Sequence, residues 1–152
     1  MLDALREFLS EIAGSPEPRQ FAEDDYRLAA AALLFHVIAV DGAVSELERD
    51  KLAEVLMRRY QLDRDGVRAL IAAAETADNE AVDLYSFTHI LKQHLDIAER
   101  ERIIALMWTL VYADGAVHEF EDNVIWRVAE LLGVSSQARI RLKHAVRDGS
   151  DS

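Results

Sequence analysis

Two Asp-Gly turns carry the side chains in this sequence that could bind a cation. The pair follows an apolar stretch at residues 41–42 and again at residues 114–115, and a glutamate stands six residues after each glycine. Hard divalent cations prefer carboxylate oxygens as ligands. We therefore predict a metal site formed by Asp41, Glu48, Asp114 and Glu121, with His118 and Glu119 as further candidates. The identity of the cation stays open, and no other cofactor is predicted.

The two turns belong to an internal repeat. A shift of 73 residues places residues 41–48 (DGAVSELE) on residues 114–121 (DGAVHEFE), and six of the eight positions are identical. The flanking residues 32–35 (ALLF) then fall on residues 105–108 (ALMW). Two distant copies indicate a duplication rather than a repeat array. We expect two halves that pack about a pseudo-two-fold axis, with any site shared between them.

The repeated aspartates have two interpretations. Each lies at or just past the end of a predicted helix, where its charge meets the negative end of the helix dipole. The same unfavourable placement in both copies favours a cation ligand, whereas an Asx-type turn would use the carboxylate only to accept backbone N–H groups. Ser45 and Glu48 have the spacing of a capping box. His118 replaces the serine in the second copy, so the two sides are not expected to be equivalent.

Neither turn is an EF-hand, although each has the glycine-to-glutamate spacing of the second half of an EF-hand loop. An EF-hand loop has glycine at its sixth position and a bidentate glutamate at its twelfth, which is the spacing from Gly42 to Glu48. Its first and third positions would fall on Val37 and Ala39, whose side chains have no ligand atom. The second copy fails in the same way. A cation site at one turn would therefore need ligands from elsewhere, and we expect them from the other repeat.

Composition excludes several classes of function. The chain has 152 residues, no cysteine and a formal net charge of −11. The absence of cysteine excludes disulfides, thiolate metal sites and cysteine nucleophiles. The acidic charge disfavours nucleic acids and anionic membranes as partners. Because no Gly-rich phosphate loop, H-E-x-x-H or G-x-S-x-G motif is present, we predict that the protein is not an enzyme. A hydrolase that used the acidic residues would need them to line a pocket.

Helical periodicity runs through the chain, and no segment has the alternation of a strand. We predict an all-α bundle of about seven to eight helices in one domain over residues 1–152. Its parts are an N-terminal helix at residues 2–13, a linker at 14–18, a core at 23–147 and a disordered tail at 149–152. The core helices are predicted at about residues 23–40, 45–60, 64–77, 84–95, 97–113, 118–132 and 136–147.

The N-terminal helix is predicted to be amphipathic. Its apolar residues Leu2, Leu5, Phe8, Leu9 and Ile12 fall on one helical face. We expect this helix to dock on the core, because the acidic polar face argues against the alternative of a membrane anchor. The longest apolar runs of the chain are well short of the roughly 20 residues that a membrane span needs. Direct insertion into a membrane is therefore not predicted.

Periodicity also selects individual core residues. In the helix that starts at Ser45, Leu47 is expected to face inward together with Leu52. Trp108 and Trp126 fall at core spacing and are expected to pack rather than to bind. His36 lies within an apolar helix and is expected to be a hydrogen-bonded core histidine.

Around the repeated turn the sequence resembles the TerB-like (tellurite resistance protein B) family of small bacterial helical proteins. The segment LLFHVIAVDGAVSELE at residues 33–48 and its counterpart in the second half carry this resemblance, which extends over about residues 24–142. It implies an all-helical bundle with pseudo-two-fold halves. It also implies a cytoplasmic role in a tellurite or metal stress response, with metal binding through Asp41, Glu48, Asp114 and Glu121. A protein partner, a membrane protein of the TerC type, is implied as well.

We therefore expect a non-enzymatic acidic module that binds a divalent cation or a protein partner at the duplicated turn. The alternative is a purely structural protein-interaction domain in which the acidic turns are only helix caps. The sequence leaves the oligomeric state open.

Overall fold

The structure is a computed structural model and describes residues 25–40, 42, 44–113 and 119–149. Within these residues the chain forms seven helices and no strand, which confirms the predicted all-α class. The helices are α1 (Tyr26–Ala39), α2 (Glu46–Tyr60), α3 (Arg64–Glu80), α4 (Tyr85–His94), α5 (Ile97–Val111), α6 (Glu119–Leu132) and α7 (Ser136–Arg147). The helix predicted over residues 2–13, the linker at 14–18 and tail residues 150–152 lie outside the described residues.

Capping residues set several helix ends where the sequence predicts them. Asp96 and Glu99 form a capping box at the start of α5, with Glu99 N donating to Asp96 Oδ1 (2.8 Å) and Asp96 N donating to Glu99 Oε1 (3.0 Å). Gly133 follows α6 with a φ of 75°, which is a left-handed conformation that glycine adopts without strain. Ser135 Oγ then accepts from Ala138 N (3.1 Å) at the start of α7.

Helix α3 runs to Glu80, three residues beyond the predicted end at Ala77. The additional turn contains Asp78, whose Oδ1 lies 2.7 Å from Nδ1 of His36 on α1. His36 is therefore hydrogen-bonded as predicted, although its side chain is half-buried rather than enclosed in the core. Local periodicity does not reveal this contact because it joins residues that are distant in the sequence.

The apolar helix α1 lies at the centre of the core. Residues 28–35 are all buried, and four of them, residues 29–32, are alanines that leave room for close neighbours. α1 packs on α3, α4 and α5. Together with the buried apolar side chains of α5, these residues form the centre of the core. No helix in the described ranges is long and apolar enough to cross a bilayer.

The helix pairings of one half recur in the other half. The 73-residue shift carries α1, α2 and α3 onto α5, α6 and α7. In the first half α1 packs on α2 and α3, and in the second half α5 packs on α6 and α7 in the same way. Between the halves, α2 contacts α5, and its counterpart α6 contacts α1. α1 and α5 pack on each other between the halves. These are the pairings expected of two halves related by a pseudo-two-fold axis. α4 is an addition to this scheme and packs on α1 and α6.

Two residues predicted to lie in the core are exposed. Leu47 is 61% exposed and Trp126 is 44% exposed. Leu47 lies in the first turn of α2, ahead of the buried apolar stripe that begins at Leu52. In α6, Ile125 takes the buried position next to Trp126. Both predictions are wrong because periodicity does not say how far the core extends, and single apolar residues are common on protein surfaces.

Tyr60, at the end of α2, makes the stability of the fold sensitive to alkaline pH. Burial raises the pKa of its hydroxyl to about 12. Between about pH 10 and 12 the unfolded chain loses a proton that the folded chain keeps, so the free energy of unfolding should fall by up to roughly 2.7 kcal/mol. Urea unfolding of the protein and of Tyr60→Phe at pH 8 and pH 11.5 measures this. Between these two pH values, Tyr60→Phe should lose less unfolding free energy than the unsubstituted protein does. Tyr85→Phe, which alters an exposed tyrosine, should lose as much as the unsubstituted protein. An equal loss in all three proteins would contradict the prediction.

Candidate functional site

The first acidic turn joins α1 to α2. Gly42 has a φ of 89°, and its N donates to Ala39 O (3.0 Å). Because a Cβ at this position would meet nothing within 4 Å, backbone conformation rather than crowding requires the glycine. Ser45 Oγ accepts from Glu48 N (3.0 Å), and Glu48 Oε1 accepts from Ser45 N (3.1 Å). The predicted capping box at the start of α2 is therefore confirmed.

The glutamates that follow the two turns are buried. Glu48 is 4% exposed and Glu121 is 1% exposed, and they occupy equivalent positions of the repeat. A capping box does not require this burial, because Glu99 makes the same pair of hydrogen bonds at the start of α5 and is exposed. Ionised carboxylates are almost never buried unless they are paired or bind a cation. Burial therefore distinguishes Glu48 and Glu121 from the exposed capping residue Glu99.

Of the other predicted site residues, the structure describes only Glu119. Asp41, Asp114 and His118 lie outside the described residues. Glu119 is the first residue of α6 and is exposed. Glu48 on α2 and Glu121 on α6 therefore represent the predicted site in the described part of the chain. Their helices both pack on the central pair formed by α1 and α5.

Two equivalent aromatic residues, one in each half, have a cation near their rings. Phe35 and Trp108 are equivalent in the repeat. Arg49 Cζ lies 5.9 Å from the centroid of the Phe35 ring, and Lys143 Nζ lies 5.0 Å from the Trp108 ring. Cations at such distances are attracted to the ring face. Lys143 Nζ also lies 3.1 Å from Asp122 Oδ1 in the first turn of α6. Positive charge thus lies at the first turn of α2 in one half, where Arg49 supplies it, and at the first turn of α6 in the other, where Lys143 of α7 supplies it.

Sequence reasoning missed one exposed feature of the two turns. Leu47 and Phe120 occupy the same position of the repeat, immediately before the buried glutamates, and are 61% and 65% exposed. Each half therefore presents one large exposed apolar side chain beside its buried glutamate. The signal available in the sequence was that the repeat keeps a large apolar residue between two acidic ones.

The described residues do not by themselves form a metal site. Within residues 25–40, 42, 44–113 and 119–149, no three His, Asp or Glu side chains lie together in a way that could hold a metal ion. A site that uses Glu48 and Glu121 would need further ligands, and the sequence offers Asp41 and Asp114 next to them.

Comparison with known families agrees with this organisation. A family model described as tellurite resistance protein TerB matches residues 27–144. That range includes both acidic turns and nearly all of the seven described helices. Comparison with curated proteins and with solved structures finds no match. Because the family model covers most of the chain, and because the all-α fold and the duplicated turn agree with it, the chain belongs to the TerB family.

Proposed function

We propose that this chain is a non-enzymatic acidic module that binds a divalent cation at its duplicated turn. Its ligands are the four carboxylates Asp41, Glu48, Asp114 and Glu121, with His118 and Glu119 as additional candidates. The observation that carries the proposal is the burial of Glu48 and Glu121 at equivalent positions. Carboxylate oxygens are the ligands that hard divalent cations prefer, and the repeat places one such buried group after each turn.

The surroundings of the turns also support a protein partner. Leu47 and Phe120 give each turn an exposed apolar side chain beside its acidic group. A partner with an apolar contact and basic residues would complement this surface on a chain of net charge −11. Family resemblance suggests a membrane protein of the TerC type as that partner, and a bacterial response to tellurite or metal stress in the cytoplasm as the setting.

Calorimetric titration with calcium, magnesium, manganese and zinc tests cation binding. The protein should bind at least one of these ions, and Asp41→Asn/Asp114→Asn should weaken that binding by about tenfold or more, because each substitution removes an anionic ligand. Glu48→Gln/Glu121→Gln should weaken it as well.

Glu99→Gln is the matched control for these substitutions. It alters a glutamate with the same capping role that is exposed and distant in sequence from both turns. It should leave cation affinity unchanged. Absent binding, or equal binding in the protein and in Asp41→Asn/Asp114→Asn, would contradict the proposed cation site.

The second candidate is a structural interaction domain without a metal. The capping box between Ser45 and Glu48 favours it, since that pair already gives the glutamate a role. Ser45→Ala should lower the free energy of unfolding by about 1 kcal/mol under either candidate, because a helix cap is lost. The structural alternative differs in that added cations would leave the melting temperature of the protein unchanged.

A further inference from the structure

A groove of about 530 Å³ lies between α2 and α5. Its apolar floor includes Val55, Ala105, Leu106 and Leu142. Its rim carries Lys51, Glu54, Arg58, Arg59, Glu101 and Arg102. Four of these six charged side chains are cationic, on a chain whose net charge is −11. An apolar floor with a mainly basic rim is complementary to an amphipathic helix with an acidic polar face.

The equivalent groove in the other half is occupied. The repeat carries α2 and α5 onto α6 and α1, which are the two helices that α4 covers. Leu33 on α1 is the counterpart of Leu106, and it is fully buried whereas Leu106 is half-buried. The helix that covers it contributes Phe87 and Leu91, both buried. The described part of the α2–α5 groove has no helix in the place that α4 takes in the other half.

The N-terminal segment of this chain has the side-chain pattern of α4. Leu5, Phe8, Leu9 and Ile12 repeat the i, i+3, i+4, i+7 spacing of Leu84, which directly precedes α4, and of Phe87, Thr88 and Leu91 within it. Phenylalanine is second in each set. Asp3, Glu7 and Glu11 are spaced four residues apart, so on a helix they would share one face beside the apolar stripe. Residues 2–12 thus combine an apolar face for the floor with carboxylates for the basic rim.

The start of α1 lies close enough to the groove for this segment to reach it. The Tyr26 ring, at the start of α1, lies 6.2 Å from the ring of Tyr60 at the end of α2. Arg59 lines both the groove and the cavity at this junction. The chain between residue 12 and the start of the described residues would span up to roughly 40 Å if fully extended. This reach exceeds the axial length of about 22 Å that the 15 residues of α5 give that helix.

We propose that residues 2–12 pack as a helix in the α2–α5 groove of the same chain, as α4 packs on α1 and α6. The apolar stripe covers Val55 and Leu106, and the carboxylates meet the basic rim. Arg59 Nε is buried and has no hydrogen-bond partner in the described part of the chain. A carboxylate of the docked segment would give it an acceptor, which removes the penalty of an unsatisfied buried donor.

Spin labels test this arrangement, because the chain has no native cysteine that would take a label. A nitroxide on Ala98→Cys, an exposed residue of the groove, should broaden the amide resonances of residues 2–12. Labels on two exposed residues elsewhere are matched controls. Ala72→Cys lies in a separate groove between α2 and α3, and Ser86→Cys lies on α4. Both should broaden these resonances less than Ala98→Cys does.

The outcomes separate the possible occupants. Stronger broadening from Ala72→Cys, or none from any label, would overturn the proposal. A second sample mixes isotope-labelled protein that has no nitroxide with nitroxide-bearing Ala98→Cys that has no isotope label. In this sample, broadening can arise only from contact between two copies of the chain. Broadening of residues 2–12 in that mixture would also overturn the proposal, since the groove would then bind the segment of another molecule.

Charge reversal provides an independent measurement. Glu7→Lys/Glu11→Lys should reduce the broadening from Ala98→Cys, because the segment then carries the same charge as the rim. Adding Arg58→Glu and Arg102→Glu, both exposed residues of the rim, should restore it. Unchanged broadening in the first variant, or no restoration in the second, would contradict the assigned contacts. Neither variant alters a buried side chain of the described core.

Discussion

Replacing Trp108 with alanine is expected to lower the free energy of unfolding by about 3–5 kcal/mol. Trp108 is fully buried on α5, and Tyr112 and Lys143 contact its ring from the end of the same helix and from α7. Truncation to alanine removes a large apolar area and leaves a cavity that the rigid central helices can close only in part. Chemical denaturation monitored by circular dichroism measures the change.

Two substitutions make this prediction specific to burial. Trp126→Ala removes a tryptophan that is 44% exposed, so its effect should be clearly smaller than that of Trp108→Ala. Trp108→Phe installs the residue that stands at the equivalent position 35 of the first half. The destabilisation caused by its smaller ring should be partly offset, because the substitution also removes the Nε1 donor of Trp108. That donor is buried and has no hydrogen-bond partner in the described part of the chain. Equal losses for the two alanine variants would contradict the core assignment.

Replacing Leu91 with alanine is expected to lower the free energy of unfolding by about 2–5 kcal/mol. Leu91 is fully buried on α4 and belongs to the stripe that holds this helix on α1 and α6. Its loss should loosen α4 first, because few other side chains of this ten-residue helix are buried. Hydrogen exchange should therefore show faster exchange in α4 than in α5, in addition to the overall loss measured by denaturation.

Lys92→Ala is the matched control, since it changes the neighbouring residue of the same helix to the same side chain. Lys92 is exposed, and alanine is a good helix former, so the free energy of unfolding should stay within about 0.5 kcal/mol of the original value. If Lys92→Ala and Leu91→Ala were equally destabilising, helix propensity rather than docking of α4 would dominate.

Helix positions could be predicted from the sequence wherever local signals determine them. Asp96 and Glu99 cap α5 through bonds within one turn, and Gly133 ends α6 through its own backbone conformation. The end of α3 could not be predicted in this way, because the contact of Asp78 with His36 joins two helices. The exposure of Leu47 was missed for a related reason: the spacing of apolar residues gives a helical face but not the boundary of the core.

The candidate site could be predicted in part. The repeat identified Glu48 and Glu121 as equivalent, and the capping role of Glu48 followed from its spacing to Ser45. That both carboxylates are buried could not be predicted, because burial depends on how α2 and α6 pack on the central pair of helices. The shared site of Asp41 and Asp114 stays a prediction.

The packing of α1 on α5 has a consequence for how such a chain could arise. A half-length chain would expose the face of α1 that α5 covers, so it could complete this core only by associating with a second copy. Fusion of the two copies makes that association intramolecular, and folding no longer depends on protein concentration. It also frees equivalent positions to diverge, which a homodimer cannot do. Ser45 and His118 record such a divergence at the acidic turns themselves.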